Sequence, residues 1–110
     1  MKPEIKSRLE DIKRSIDEID EFLPDKKDFY LFDKDLKTKK AIERNLEIIG
    51  EALSRVLKEN LDIKISDSRK IVDTRNRIIH GYNSITSDVL WLIITKSLPL
   101  LKKEILKLLE

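Results

Sequence analysis

The residues best suited to chemistry form one short run, Arg75-Asn76-Arg77-Ile78-Ile79-His80-Gly81-Tyr82, and His80 is the only histidine in the chain. A guanidinium and an imidazole together offer fixed positive charge and proton transfer. At about 100° per residue, Ile71, Val72, Ile78 and Ile79 make one apolar stripe of a helix, with Arg75 near its middle. Burying a guanidinium is unfavourable by several kcal/mol unless it is paired or faces a wet cleft. The stripe is therefore expected to look into something other than closed core. His80 lies about 140° from Arg75 on the same wheel, too far round for an ideal helix to aim both at one point. Either the last turn distorts before Gly81, or a second copy of the chain brings the two together. A plainer reading is available, in which Arg75 snorkels from the stripe and His80 sits against the negative end of the helix macrodipole.

The run resembles the R-x4-H-x-Y signature of the HEPN superfamily, specifically the HepT-like toxins paired with small nucleotidyltransferases. Arg75, His80 and Tyr82 carry the signature, and Asn76 is the polar residue that usually follows the arginine. Upstream, Arg44-Asn45-Leu46-Glu47-Ile48-Ile49-Gly50-Glu51-Ala52 is similar to that family's second-helix motif, and Trp91 and Leu98-Pro99 extend the likeness downstream. The sequence departs from the pattern at Ile65-Ser66-Asp67-Ser68, where a Pro-Trp pair is common, and at Asp73-Thr74, where a Gly-Met pair often precedes the arginine. The resemblance implies an all-α, up-and-down bundle of four to five helices that is dimeric. It also implies a metal-independent ribonuclease with Arg and His from both subunits at the dimer interface.

Cleaving RNA by transesterification needs a base for the 2′-OH proton, positive charge against the phosphorane and an acid for the leaving 5′-oxygen. One histidine cannot be base and acid at once, whereas a symmetric dimer brings two copies of His80 and two of Arg75 to one cleft. Asn76, one turn before His80, is a candidate for orienting the imidazole. Arg77 is a candidate phosphate contact, or simply a surface arginine. In the resembling toxins the tyrosine of the signature receives AMP from the cognate nucleotidyltransferase antitoxin, which assigns that role to Tyr82; a bulky anion there would repel RNA phosphates. The alternative from another class is a non-catalytic helical dimer that binds a nucleotidyltransferase or a nucleotide.

The elements that must position these groups follow from apolar periodicity. Residues 3 to 23 read as a helix with Ile5, Leu9, Ile12, Ile16, Ile19 and Leu23 on one face, ended by Pro24. Glu4 with Arg8 and Glu10 with Arg14 are i,i+4 pairs on its solvated side. The acidic end, Asp17 to Glu21, opposes the macrodipole. Residues 25 to 35 read as a connector whose Phe29-Tyr30-Leu31-Phe32 plugs the bundle's end. A second helix spans about 36 to 58, with Ile42, Leu46, Ile49, Leu53 and Val56 inward, and its Gly50 allows close approach of another helix. Glu51, beside Gly50, is a candidate neighbour of the Arg75 site, though it reads first as an exposed residue of a charged helix. Ser66 is the expected N-cap of the motif helix, which stops at Gly81. Thr86 or Ser87 caps a last helix with the stripe Trp91, Ile94, Leu98, Leu101, Ile105 and Leu108, kinked at Pro99.

Composition bounds the rest. A chain of 110 residues makes one domain, 1–110, and 40% charged residues with only 2 glycines and 3 prolines point to helices throughout. The 23 basic and 21 acidic side chains leave a net charge of +2, so RNA contact must rely on a local basic patch. No cysteine is present, which fits a reducing cytoplasm and, with one histidine, gives no basis for a structural metal site. No cofactor is implied. No apolar h-region follows the charged N-terminus, and no apolar run reaches about 18 residues, so neither a signal peptide nor a membrane span is expected.

Overall fold

The computed structural model describes residues 1–23, 27–81 and 85–110. It is the expected all-α bundle, with helices α1 (Pro3–Phe22), α2 (Phe29–Lys34), α3 (Leu36–Glu59), α4 (Ser68–His80), α5 (Ser87–Leu92) and α6 (Leu98–Leu109). A π-helical turn, Ile93–Ser97, joins α5 to α6 without leaving helical backbone, so these three pieces form one rod. The molecule measures 41 × 32 × 18 Å, and its thinnest dimension matches two layers of helices about 10 Å across. Among the described residues no helix is long and apolar enough to cross a membrane.

α1 begins with proline in its first turn, where a missing N–H is harmless. Its inward face, Ile5, Leu9, Ile12, Ile16 and Ile19, is buried against α3 and α6. The helix stops at Phe22, and Leu23 is extended (φ −94°, ψ 142°), as the residue before a proline prefers; Pro24 itself lies outside the described residues. The pairs on its solvated face differ from the simple i,i+4 scheme. Arg8 reaches Glu59 of α3 at 3.5 Å, and Arg14 pairs with Asp11 at 3.1 Å. The acidic end is partly offset, because Lys13 and Lys102 of α6 hold Asp17 at 3.0 and 2.8 Å. The hydrogen bond from Lys102 is the main reason that the Asp17 carboxyl titrates below its ordinary range.

The stretch read as a connector folds as α2. Asp28 accepts from the amides of Tyr30 (2.9 Å) and Leu31 (3.3 Å), which supplies the cap a six-residue helix needs. Phe32 and Phe29 pack on Trp91, with ring centroids 5.1 and 5.8 Å away, and seal one end of the bundle. Tyr30 is 77% exposed, so only part of the aromatic quartet acts as a plug. Asp35 ends α2 and caps α3 through the Thr38 amide (3.0 Å) and hydroxyl (2.6 Å). All five expected inward residues of α3 are buried. Asn45, also buried, ties α3 to α1 by donating to the Ser15 carbonyl (3.3 Å) and Glu18 Oε1 (3.2 Å).

Two boundaries near the motif helix and the last rod depart from expectation. The Ser66 amide donates to Glu104 Oε2 of α6 (2.9 Å), and Asp67 adopts a left-handed conformation (φ 57°, ψ 15°), so the cap position falls on Asp67 and α4 starts at Ser68. At the far end Gly81 is left-handed as expected (φ 64°). In the last rod the irregularity precedes Pro99 as a π turn, in which the Leu98 amide bonds to the Ile93 carbonyl. Ile94, Leu98, Leu101 and Ile105 are buried as the stripe requires, while Trp91 and Leu108 are half-buried.

The tightest approach is at Gly50, where α4 crosses α3. A Cβ built there would overlap Arg75 Cβ and lie 2.7 Å from Arg75 Cγ. Those atoms sit at the root of the side chain and cannot swing clear. Gly50→Ala should therefore lower stability by about 1–3 kcal/mol through overpacking, although alanine is the better helix former by about 1 kcal/mol. Urea unfolding would read this as a lower midpoint at unchanged slope. A raised midpoint would mean that α4 yields freely and the crossing is not tight.

Candidate active site on α4

The α3–α4 crossing fixes Arg75. Its stem lies against Gly50, its side chain is 26% exposed, and its guanidinium opens onto a concavity of about 420 Å³ between α1, α3 and α4. Nη2 donates to Glu51 Oε2, and Nη1 donates to Asn76 Oδ1 at 3.0 Å. Nε is buried and meets no acceptor among the described residues. Glu51 is thus Arg75's carboxylate partner rather than a plain surface residue, and its other oxygen accepts from Arg55 Nε at 2.8 Å. The rest of the concavity mixes apolar and charged side chains, with Ile48, Ala52 and the 48%-exposed Ile79 beside Arg8 and Arg44.

The Arg55 hydrogen bond lowers the Glu51 carboxyl below its ordinary value of 4.5; partial burial opposes this, and the charges of Arg75, Arg55 and Lys58 reinforce it. Glu51 is therefore ionised wherever Arg75 is to be held. The arrangement gives a guanidinium of fixed orientation in a half-open, partly apolar hollow, which is what recognition of a phosphate or phosphorane asks of an arginine.

His80 is exposed at the end of α4, and the Gly81 amide still bonds to the Arg77 carbonyl at 3.1 Å, so the last turn is regular. Distortion does not bring the imidazole to Arg75. Within one chain Ile79, not His80, lines the Arg75 concavity. The side-chain oxygen of Asn76 accepts from Arg75, which joins Asn76 to the guanidinium. Arg77 lies on a separate groove, near Asp73 and Val89. Tyr82 is outside the described residues. One chain therefore unites Arg75, Asn76 and Glu51 and sets His80 and Arg77 apart from them. Among the described residues no three His, Cys, Asp or Glu side chains gather as metal ligands.

The model of the family described as ribonuclease HepT-like matches residues 12–108. The chain is 35% identical over 106 residues to a candidate RNase of Methanocaldococcus jannaschii, covering 94% of this chain and 95% of that one. It is 38% identical over 112 residues to a protein of Thermococcus cleftensis named probable ribonuclease HepT, covering 98% of each. A third relative, from M. jannaschii, is named as a gamma-glutamylcyclotransferase and candidate RNase; the match is 31% identical over 117 residues and covers all of this chain and 50% of that protein. No solved structure gives a match.

The Glu51 clamp has a pH signature. A carboxyl whose folded-state pKa is depressed adds stability that is complete above its unfolded value and is lost as pH falls through the folded one. Glu51→Gln should cost under about 1 kcal/mol at neutral pH, because the pair is half-exposed. As pH falls below about 5 the wild type should lose more stability than the variant, and the two curves should converge once the Glu51 carboxyl is protonated. Curves that stay parallel would show that the Glu51 charge does not hold Arg75.

Proposed function

Because this chain belongs to the ribonuclease HepT-like family of the HEPN superfamily, we propose that it is a metal-independent endoribonuclease and the toxin of a toxin–antitoxin pair. The observation that carries this reading is Arg75, a guanidinium held by Glu51 and Asn76 in an open hollow, within an Arg-x4-His-x-Tyr run. In the proposed reaction the RNA 2′-oxygen attacks the adjacent phosphorus while one His80 takes its proton. The 5′-oxygen leaves with a proton from a second His80, and a 2′,3′-cyclic phosphate remains. Arg75 bears on the non-bridging oxygens as negative charge builds there.

A homodimer supplies the second histidine. Two features support it: a regular helix keeps His80 away from Arg75 in one chain, and Ile79 and Ile48 leave apolar surface beside the guanidinium. The partner is a small nucleotidyltransferase antitoxin, which silences the toxin by adding AMP to Tyr82, two residues past His80. The anion would stand where a substrate phosphate must pass.

Purified protein in EDTA should cut RNA to products ending in 2′,3′-cyclic phosphate. His80→Ala should slow cleavage by about 10²–10⁴-fold, and Arg75→Ala by about 10²–10³-fold. Variants that cut as fast as wild type would sink the site assignment. If wild type also cuts nothing, the non-catalytic binding dimer becomes the better reading.

Tyr82→Phe keeps the ring and removes the acceptor oxygen. This variant should cleave RNA at close to the wild-type rate but gain no AMP, by mass spectrometry, when incubated with the cognate nucleotidyltransferase and ATP. Modification and silencing equal to wild type would move the switch to another residue.

A further inference from the structure

On the other side of α4 from Arg75, between α4 and the start of α5, runs a second open groove of about 590 Å³. Arg69, Lys70 and Arg77 line it together with Asp67, Asp73 and Val89. Relative to His80 on the helical wheel, Arg69 and Asp73 lie within about 20°, Arg77 within about 60° and Lys70 within about 80°. His80 therefore shares its face of α4 with this groove.

The ion pairs of the arginines set this face apart. Arg8, Arg14, Arg44, Arg55 and Arg75 each hold a carboxylate. Arg69 and Arg77, the two remaining arginines of the sequence, make no ion pair among the described residues, and both line this groove. Asp73 stands four residues from each and is paired with neither. The two arginines that pair with no carboxylate among the described residues thus lie on the face of α4 that carries the only histidine of the sequence.

We propose that this groove is a track for the sugar-phosphate backbone of single-stranded RNA flanking the cut, with Arg69 and Arg77 as phosphate ligands and Lys70 as a third cation. The proposal rests on the ribonuclease reading and adds to it the residues that hold the strand at His80. Arginine forks fit phosphate oxygens in a bidentate manner. Eight residues separate Arg69 from Arg77, about 12 Å along the helix axis, so they meet different phosphates of one strand. Asp73 lies between them and weakens the hold.

The test compares wild type, Arg69→Ala/Lys70→Ala and Asp73→Asn on a labelled single-stranded oligoribonucleotide and on a dinucleoside monophosphate too short to reach Arg69. Arg69 and Lys70 are exposed, so the double variant should fold as wild type does. It should cut the dinucleotide at the wild-type rate, while its KM for the long RNA rises at least roughly tenfold with kcat unchanged. The slope of log affinity against log salt should fall by about 0.7 for each phosphate that the variant no longer neutralises. Arg69→Lys/Lys70→Arg, which keeps both charges, should restore most of the affinity. Asp73→Asn should bind the long RNA more tightly than wild type. If wild type cuts RNA but the double variant keeps its KM and salt slope, the track is overturned and the ribonuclease reading stands. If wild type neither binds nor cuts either RNA, the ribonuclease reading fails and the track falls with it.

Discussion

The absence of a methyl group at Gly50 sets the position of Arg75. With no Cβ on α3 at that point, α4 comes close enough for the Arg75 stem to lie directly on the α3 backbone. The next residue along α3 is Glu51, so the contact that fixes the stem also brings a carboxylate to the guanidinium. Arg55, one turn further, holds the other oxygen of Glu51 and keeps it ionised. A steric allowance thus becomes an electrostatic orientation within the stretch from Gly50 to Arg55 of one helix. The penalty for a charge near the core is reduced by pairing, and the partly open hollow leaves part of the guanidinium in contact with water.

α4 offers different chemistry on its two sides. Arg75 faces α3 and a hollow of mixed apolar and charged side chains, whereas Arg69 and Arg77 line the groove toward α5 on the opposite side of α4. His80 also belongs to that opposite side on the helical wheel. A single regular helix cannot fold those sides onto each other. In the proposed dimer this is no defect, because the two-fold operation lets one copy's inner side approach the other copy's outer side.

Much of this was legible in the sequence, and the exceptions have physical causes. The stripes of α1, α3 and the last rod predict their buried residues because a period near 3.6 reports directly on which side meets the core. The separation of Arg75 from His80 also follows from helical geometry alone, and the regular last turn bears it out. α2 escaped because six residues are too few to show a period, and clustered aromatics read as a plug; Asp28, two residues before Tyr30, was the available signal. Glu51 stayed open between a surface residue and a neighbour of Arg75 because a charge pair between helices depends on where they cross. Gly50 marked that crossing, but local sequence alone does not reveal which side chain arrives there. The π turn escaped because proline announces a break in the hydrogen-bond ladder without fixing where the helix absorbs it.

α4 is bracketed by left-handed residues, Asp67 (φ 57°) before it and Gly81 (φ 64°) after it, and its principal packing is against α3. Mechanically it is a short spar with a sharp bend at each end and one main bearing surface. Arg69, Lys70, Arg75, Arg77 and His80 all ride on it, so a roll or slide of α4 over α3 carries them as one rigid set. Such a movement leaves their mutual spacing untouched and changes only where the set points. Shifts of about 1–2 Å are ordinary for a helix at a subunit interface. A ligand or partner pressing on either end of the spar would re-aim every one of these groups together.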